Sequence, residues 1–140
     1  MYVLIVGGGK VGSSLSKLLA KQGHEVTIVE FDRAKCQFLS KADSGVAVQC
    51  GDGDEPHVLE AANVAKADVL VAVTGHDEDN LVVCLLGKHE YRVPLTMARV
   101  NNPKNEWLFT ERFGVDAPVS QTSMIVTLLD ERAIAGKQAL

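Results

Sequence analysis

The sequence predicts a single α/β domain built on a doubly wound, six-stranded parallel sheet in the order 3-2-1-4-5-6, with helices on both faces. Three observations carry this expectation. Short runs rich in β-branched residues alternate with helical patterns of about a dozen residues along the whole chain. Those runs are nearly continuous in apolar residues, as strands covered by helices on both faces are. Right-handed crossovers then leave the doubly wound order as the natural arrangement.

The strand candidates in chain order are YVLIV from Tyr2, EVTIV from Glu25, GVAVQC from Gly45, DVLVAVT from Asp68, LTMARV from Leu95 and the weaker DAPVS from Asp116. Between the first two, VGSSLSKLLAKQG has helical apolar spacing and stops at Gly23, a good helix-ending residue. DRAKCQFLSKA follows, then DEPHVLEAANV, with Asp54 expected as N-cap and Pro56 in the first turn. HDEDNLVVCLLGKHEY, NPKNEWLFTERFG and SQTSMIVTLLDERAI are expected to supply the remaining helices. No linker, low-complexity tract or repeat interrupts them, so residues 1–140 are expected to form one domain, with no second ligand domain.

Composition narrows the function. Hydrophobic residues make up 46% and charged residues 23%, the balance of an ordinary water-soluble domain. A net charge of -4 argues against a nucleic-acid surface. Apolar runs such as LVVCLL and VLVAVT are far shorter than the roughly 20 residues that span a bilayer. The N-terminus has no basic segment or cleavage site, so the expectation is a cytoplasmic protein without direct membrane insertion. Cys36, Cys50 and Cys84 have no C-x-x-C spacing and are expected to be reduced, mostly buried thiols. The four histidines are scattered, and neither zinc nor a catalytic dyad is expected.

The motif with chemical content is GGGKVG, because it follows a hydrophobic strand and opens a helix. Gly7 permits the tight turn, Gly9 lets the backbone approach a diphosphate, and Gly12 lets the helix pack closely on the sheet. The helix start presents unpaired N–H groups and about half an elementary positive charge to an anion. Glu30 closes EVTIVE 18 residues after Gly12, close to the spacing of a carboxylate that accepts from ribose hydroxyls. Such a Rossmann-type site with an acid there should disfavour the 2′-phosphate of NADP, although Arg33 nearby works the other way.

The other strand ends should meet at the same crevice. In CGDGD, Gly51 and Asp52 either contact an adenine edge or form a turn that caps the next helix. Thr74 and Gly75 are expected to line the crevice, while Asp77, Glu78 and Asp79 are expected to stabilise the start of their own helix. Arg99 is either a phosphate partner or half of a structural salt bridge. In the last helix Ile125, Leu128, Leu129 and Ala133 form an apolar stripe with Val126 beside it, which packs either on its own sheet or on another surface.

Taken together, GGGKVG, VTIVEFD, GDGDEPHVLEAANVAKADVLVAVTGHDEDN, ARVNNP and FGVDAPVSQ resemble the nucleotide-binding lobe of the RCK/TrkA (KTN) family of potassium-transport regulators, from the first strand to about residue 123. The resemblance implies that Gly7, Gly8, Gly9, Lys10 and Val11 hold phosphates and that Glu30 holds ribose. It also implies that Thr74 and Gly75 line the crevice and that Arg99 helps bind ligand. The ligand it implies is NAD(H) or an adenine nucleotide, ATP, ADP or AMP. The implied partner is the membrane subunit of a potassium channel or transporter, met at the inner face of the membrane. It further implies that the helix after the sixth strand reaches a neighbouring subunit, making a homodimer or a larger ring.

This sequence departs from the family pattern in three places. Glu30 stands where Asp is commoner, Gly53 and Glu55 alter the run after Asp52, and the chain stops at Leu140 where many members continue into a second ligand domain. No catalytic residue is expected. The alternatives are the NAD-binding lobe of a small dehydrogenase, which needs a proton-transfer group beside the nicotinamide, and a methyltransferase, which usually adds an antiparallel final strand.

Overall fold

The computed structural model describes residues 1–42 and 44–134, so Asp43 and the last six residues of the expected domain lie outside the described residues. Strands β1 (Tyr2–Val6), β2 (Glu25–Glu30), β3 (Ala47–Cys50), β4 (Val69–Ala72), β5 (Leu95–Arg99) and β6 (Ala117–Val119) make one sheet in the order β3-β2-β1-β4-β5-β6. Every neighbouring pair is parallel. The order is the expected one, with the topological switch between β1 and β4.

Alternation along β1 divides the core. Val3 and Ile5 face one side with Val26, Ile28 and Leu39, where Leu15 and Leu19 of α1 (Lys10–Lys21) pack over them. Leu39 belongs to α2 (Arg33–Lys41), so α1 and α2 cover this face. Leu4 and Val6 face the other side with Leu59 of α3 (Pro56–Ala61) and Val83 of α4 (Asp77–Leu85). Strands buried on both faces explain the continuous apolar runs. Helix α1 stops where expected, because Gly23 takes φ +90°.

Three expectations are corrected. NPKNEWLFTERFG forms two 3-10 turns, Pro103–Leu108 and Glu111–Phe113, in place of an α-helix. Its apolar residues are consecutive, and the chain turns to sink Phe109 and Val115 into the core. Helix α3 is capped by Glu55 without a side-chain bond; Asp54 instead gives its N–H to Asp52 Oδ1 at 2.9 Å, and the helix begins one residue later. Cys36 and Cys50 are paired as a disulfide, their Cα atoms 5.8 Å apart across 14 positions of sequence. Spacing alone does not show the pair, which exists because α2 returns the chain to the strand beside β2. Cys84 is a free, buried thiol, as expected. Burial, helped by Asp116 and opposed by Lys88, pushes it up to about 12.

Helix α5 (Gln121–Leu129) has no buried residue, and Met124, Ile125, Val126, Leu128 and Leu129 are each about half exposed or more. The apolar stripe therefore does not pack on its own sheet.

Candidate functional site

A crevice of about 570 Å³ opens at the carboxyl ends of the strands, where β1 and β4 send their chains to opposite faces. That volume is in the range of small-molecule sites. Its floor is the turn from β1 into α1, with Gly7, Gly8, Gly9, Lys10 and Val11 along it. Glu30, Gly51 and Asp52 form one wall, and Thr74, Gly75 and Arg99 the other. All the positions expected to hold phosphate, ribose or adenine or to line the crevice meet here except Gly12, which lies beneath the turn.

The turn depends on two glycines in different ways. Gly7 has φ +117°, and a Cβ there would stand 2.9 Å from the backbone carbon of Val73. Gly12 is in the helix, and a Cβ there would land on the Gly7 carbonyl oxygen. The helix can approach the strand only because Gly12 has no side chain. A Cβ at Gly9 would meet nothing, so that position faces open crevice. No side chain caps α1 and no acid lies in its first turn, which leaves its amide groups facing the crevice.

Glu30 is only 8% exposed, and both carboxylate oxygens are held by backbone. Oε1 accepts from the Gly8 N–H at 2.8 Å, and Oε2 accepts from the Asp32 N–H at 2.6 Å. Each oxygen retains a lone pair for a further donor. The acid thus fastens the glycine turn to the β2–α2 corner while its edge faces the crevice. Arg33 does not line this cavity; Lys35, two residues and about half a turn further into α2, does.

The opposite wall is organised by Asn80, which is fully buried. Its Oδ1 accepts from the Thr74 N–H at 3.0 Å and from Thr74 Oγ1 at 2.7 Å. Its Nδ2 donates to the carbonyl of Thr74 at 3.1 Å and to that of Arg99 at 3.0 Å. One side chain therefore joins the ends of β4 and β5. Among the described residues Arg99 makes no ion pair, so the salt-bridge alternative is not the one adopted.

Asp77 corrects another expectation. It lies in the first turn of α4, but its carboxylate is committed to the loop after β5. It accepts from the N–H of Asn101 at 2.6 Å, the N–H of Asn102 at 2.9 Å and Asn105 Nδ2 at 2.8 Å. Burial alone would raise its affinity for a proton, but these donors hold it below the usual carboxylate value.

Asp54 and Asp79 also line the crevice, an arrangement the sequence reading missed. Burial, the hydrogen bond shared with Asp79, and the charges of Asp79, Asp52 and Glu78 raise Asp54 to about 7. The only sequence signal for this pair was the acid density of GDGDE and HDEDN. Asn80 was legible as part of DEDN, but nothing in its spacing announced four bonds to two strand ends.

The TrkA-N domain model matches residues 3–121 of the chain. The Trk system potassium uptake protein TrkA of Mycobacterium tuberculosis is 39% identical over 136 residues, covering 97% of this chain and 61% of that protein. The TrkA homolog of Methanothermobacter thermautotrophicus is 43% identical over 120 residues, covering 86% of this chain and 54% of its own length. The chain thus spans little more than half the length of these relatives. Among solved structures, the TrkA-N domain of the inner membrane protein ybaL from Escherichia coli superposes with a TM-score of 0.80 at 19% identity, covering 93% of this chain and 94% of that one. The GsuK channel bound to NAD gives 0.73 at 24% identity, over 84% of this chain and 21% of that one. The Shewanella denitrificans Kef C-terminal domain in its AMP-bound form gives 0.72 at 24%, over 99% and 88%. At such identities the structures establish the fold alone, whereas the match to the domain model covers most of the chain. The chain belongs to the TrkA-N domain family.

Proposed function

We propose that this domain is a regulatory subunit that binds NAD(H) or an adenine nucleotide (ATP, ADP or AMP) and controls a potassium channel or transporter. The observation that carries the reading is Glu30, held by the Gly8 and Asp32 amides with its edge in the crevice, opposite the uncapped start of α1. A nucleotide laid along that floor would place phosphates at the α1 amides and Lys10, ribose hydroxyls at Glu30, and adenine toward Gly51 and Asp52. Arg99 and Thr74 would meet its far end. The relatives named for potassium uptake, and neighbours named as NAD-bound and AMP-bound, support the same assignment.

Charge sharpens the choice of ligand. Lys10, Lys35 and Arg99 share the crevice with Glu30, Asp32, Asp52 and Asp79, and with Asp54, which is raised to about 7 and so carries only part of a charge, so acids outnumber cations. NAD(H) and AMP, with fewer negative charges, are therefore favoured over metal-free ATP. The function is binding, with conformational output in place of turnover. Residues 1–140 act as one domain at the inner face of the membrane, held there by the partner; none of the described helices is long and apolar enough to cross it. The exposed face of α5, together with Leu95 at 40% exposure and half-buried Met97 on one side of β5, supports assembly into a homodimer or a ring of dimers. Nucleotide acts on that assembly by preferring one subunit arrangement.

A thermal-shift panel tests the site. A ligand at 100 times its dissociation constant stabilises the fold by about 2.7 kcal/mol, so NADH or AMP should raise Tm and NADP should do so markedly less. Glu30→Ala should weaken binding by about one to two decades, the worth of charged hydrogen bonds of 1.5–3 kcal/mol. A panel in which no nucleotide shifts Tm, or in which the substitution changes no affinity, overturns the assignment.

A further inference from the structure

The Cys36–Cys50 pair lies against the wall of the crevice assigned to adenosine. Cys50 is the last residue of β3, exposed, and followed directly by Gly51 and Asp52. Cys36 is the buried residue of α2 one turn after Asp32, whose N–H holds Glu30. The Gly51 N–H donates to the Glu30 carbonyl at 2.9 Å, and Cys36 Sγ stands 3.0 Å from that same oxygen. The sulfur of Cys36 thus has two partners within reach. As a thiol it donates to the Glu30 carbonyl; as a disulfide it is bonded to Cys50.

We propose that Cys36 and Cys50 are a reversible dithiol–disulfide switch that sets nucleotide affinity, an inference that rests on the nucleotide reading of the crevice. The disulfide ties α2 to the end of β3, and so fixes the two segments, Glu30–Asp32 and Gly51–Asp52, between which adenosine would lie. With that wall fixed in advance, binding orders less of the chain, and the oxidised form binds more tightly. The dithiol form lets the β3 end and the α2 start separate.

The geometry also provides for the reaction. Cys50 opens on a shallow surface recess lined by Arg33 and Lys41, cations of the kind that stabilise a thiolate. The Cys50 thiolate attacks one sulfur of a small-molecule disulfide, forming a mixed disulfide and releasing one thiolate. The Cys36 thiolate then attacks Cys50 Sγ, closing the protein disulfide and expelling the second. Two electrons pass to the small disulfide, which leaves as two thiols carrying the two protons lost by the cysteines. The reverse exchange with two equivalents of small thiol restores the dithiol. In a reducing compartment such a pair acts as a sensor in preference to a permanent staple.

The test equilibrates the whole chain with mixtures of reduced and oxidised glutathione, identifies free thiols by alkylation and mass spectrometry after denaturation, and titrates each form with NADH and with AMP. Oxidation should leave only Cys84 alkylated and lower the dissociation constant about tenfold, within the usual range of coupling between sites. By reciprocity, saturating AMP should move the midpoint of the pair by about 30 mV toward more reducing potentials. Cys50→Ser, at an exposed position, should hold the reduced-form affinity in every mixture. Cys36→Ser, whose hydroxyl keeps the bond to the Glu30 carbonyl, should do the same. The switch is overturned if both cysteines remain alkylatable throughout, or if the two forms bind within twofold of each other while binding itself persists. If neither form binds NADH or AMP, the nucleotide reading falls and the coupling falls with it, while the alkylation pattern still reports whether the pair exchanges.

Discussion

Replacing Asn80 by Ala would remove the one side chain that, among the described residues, bonds the ends of both β4 and β5 at the crevice. Four hydrogen bonds disappear, from Asn80 to the N–H, hydroxyl and carbonyl of Thr74 and to the Arg99 carbonyl. Two have substitutes: the Thr74 hydroxyl already lies 3.2 Å from the His76 carbonyl, and the Thr74 carbonyl also accepts from Asn101 Nδ2 at 3.0 Å. Among the described residues the Thr74 N–H has none. An orphaned donor costs about 1–3 kcal/mol and the lost bond to the Arg99 carbonyl about 1, giving about 2–4 kcal/mol in all. For a domain of this size that is a fall in Tm of roughly 10 °C. Asn80→Asp supplies the control. It keeps the acceptor for Thr74 but turns a second carboxylate oxygen toward two carbonyls, which favours the protonated acid in the folded state. A folded-state value raised above the unfolded one, about 3.9, means that stability is complete below the unfolded value and is lost as pH rises through the folded one. Denaturant titrations of wild type and both variants at several pH values read this directly. At pH 7 the Asp variant should be at least as weak as the Ala variant, and near pH 4 it should approach wild type. An Ala variant within 1 kcal/mol of wild type, or an Asp deficit independent of pH, would refute the role given to Asn80.

Two further outcomes follow from the same structure. Asp54, raised to about 7 from 3.8, makes the folded state hold more protons than the unfolded state between those values, so stability should fall as pH rises from about 4 to 7 and then level off. Asp77 and Asp116, both lowered, act only below that window, and Asp79→Asn should flatten the slope; a slope unchanged in that variant would remove the carboxyl pair as its source. Ile125 and Leu129 are 58% and 56% exposed, so changing both to Asp should alter monomer stability by only about 0.5 kcal/mol per site while dissociating an assembly built on α5. Light scattering that finds a monomeric wild type at tens of micromolar, or an assembly unaffected by both changes, would take α5 out of the interface.

What was legible in the sequence was governed by local rules. The strands announced themselves because burial on both faces leaves little room for polar residues, and the glycine turn did so because Gly7 and Gly12 occupy positions closed to any side chain. Glu30 was legible by its distance from the turn. What escaped was set by where the chain returns to itself. Cys36 and Cys50 meet across the β2–α2–β3 return, Asp77 reaches a loop 24 residues away, and Lys35 in place of Arg33 lines the crevice because of the phase of α2. The failed helix at NPKNEWLFTERFG is of the same kind, since the demand for Phe109 and Val115 in the core overrode a plausible local pattern.

The two walls of the crevice are fastened independently, and this bears on how a ligand would be felt elsewhere. On one side Glu30 joins the glycine turn to the β2–α2 corner; on the other Asn80 joins β4 to β5, and Asp77 joins α4 to the loop beyond. The halves meet through the β1–β4 ladder, which ends with the Val73 N–H donating to the Val6 carbonyl at 2.9 Å, and through Gly7 pressed against Val73. A ligand gripped by both walls would therefore act on their separation more readily than on the shape of either, because each wall is already held by part-buried hydrogen bonds. Helix α5 follows β6, the edge strand of the Asn80 half, and α1 opens beside the Glu30 half. A change in the angle between the halves would reach α5 through the chain that leaves β6 and through the Ser123 hydroxyl, which donates to Glu106 Oε1 at 2.7 Å, so a nucleotide would bias an assembly made through α5 by moving the point from which that helix starts.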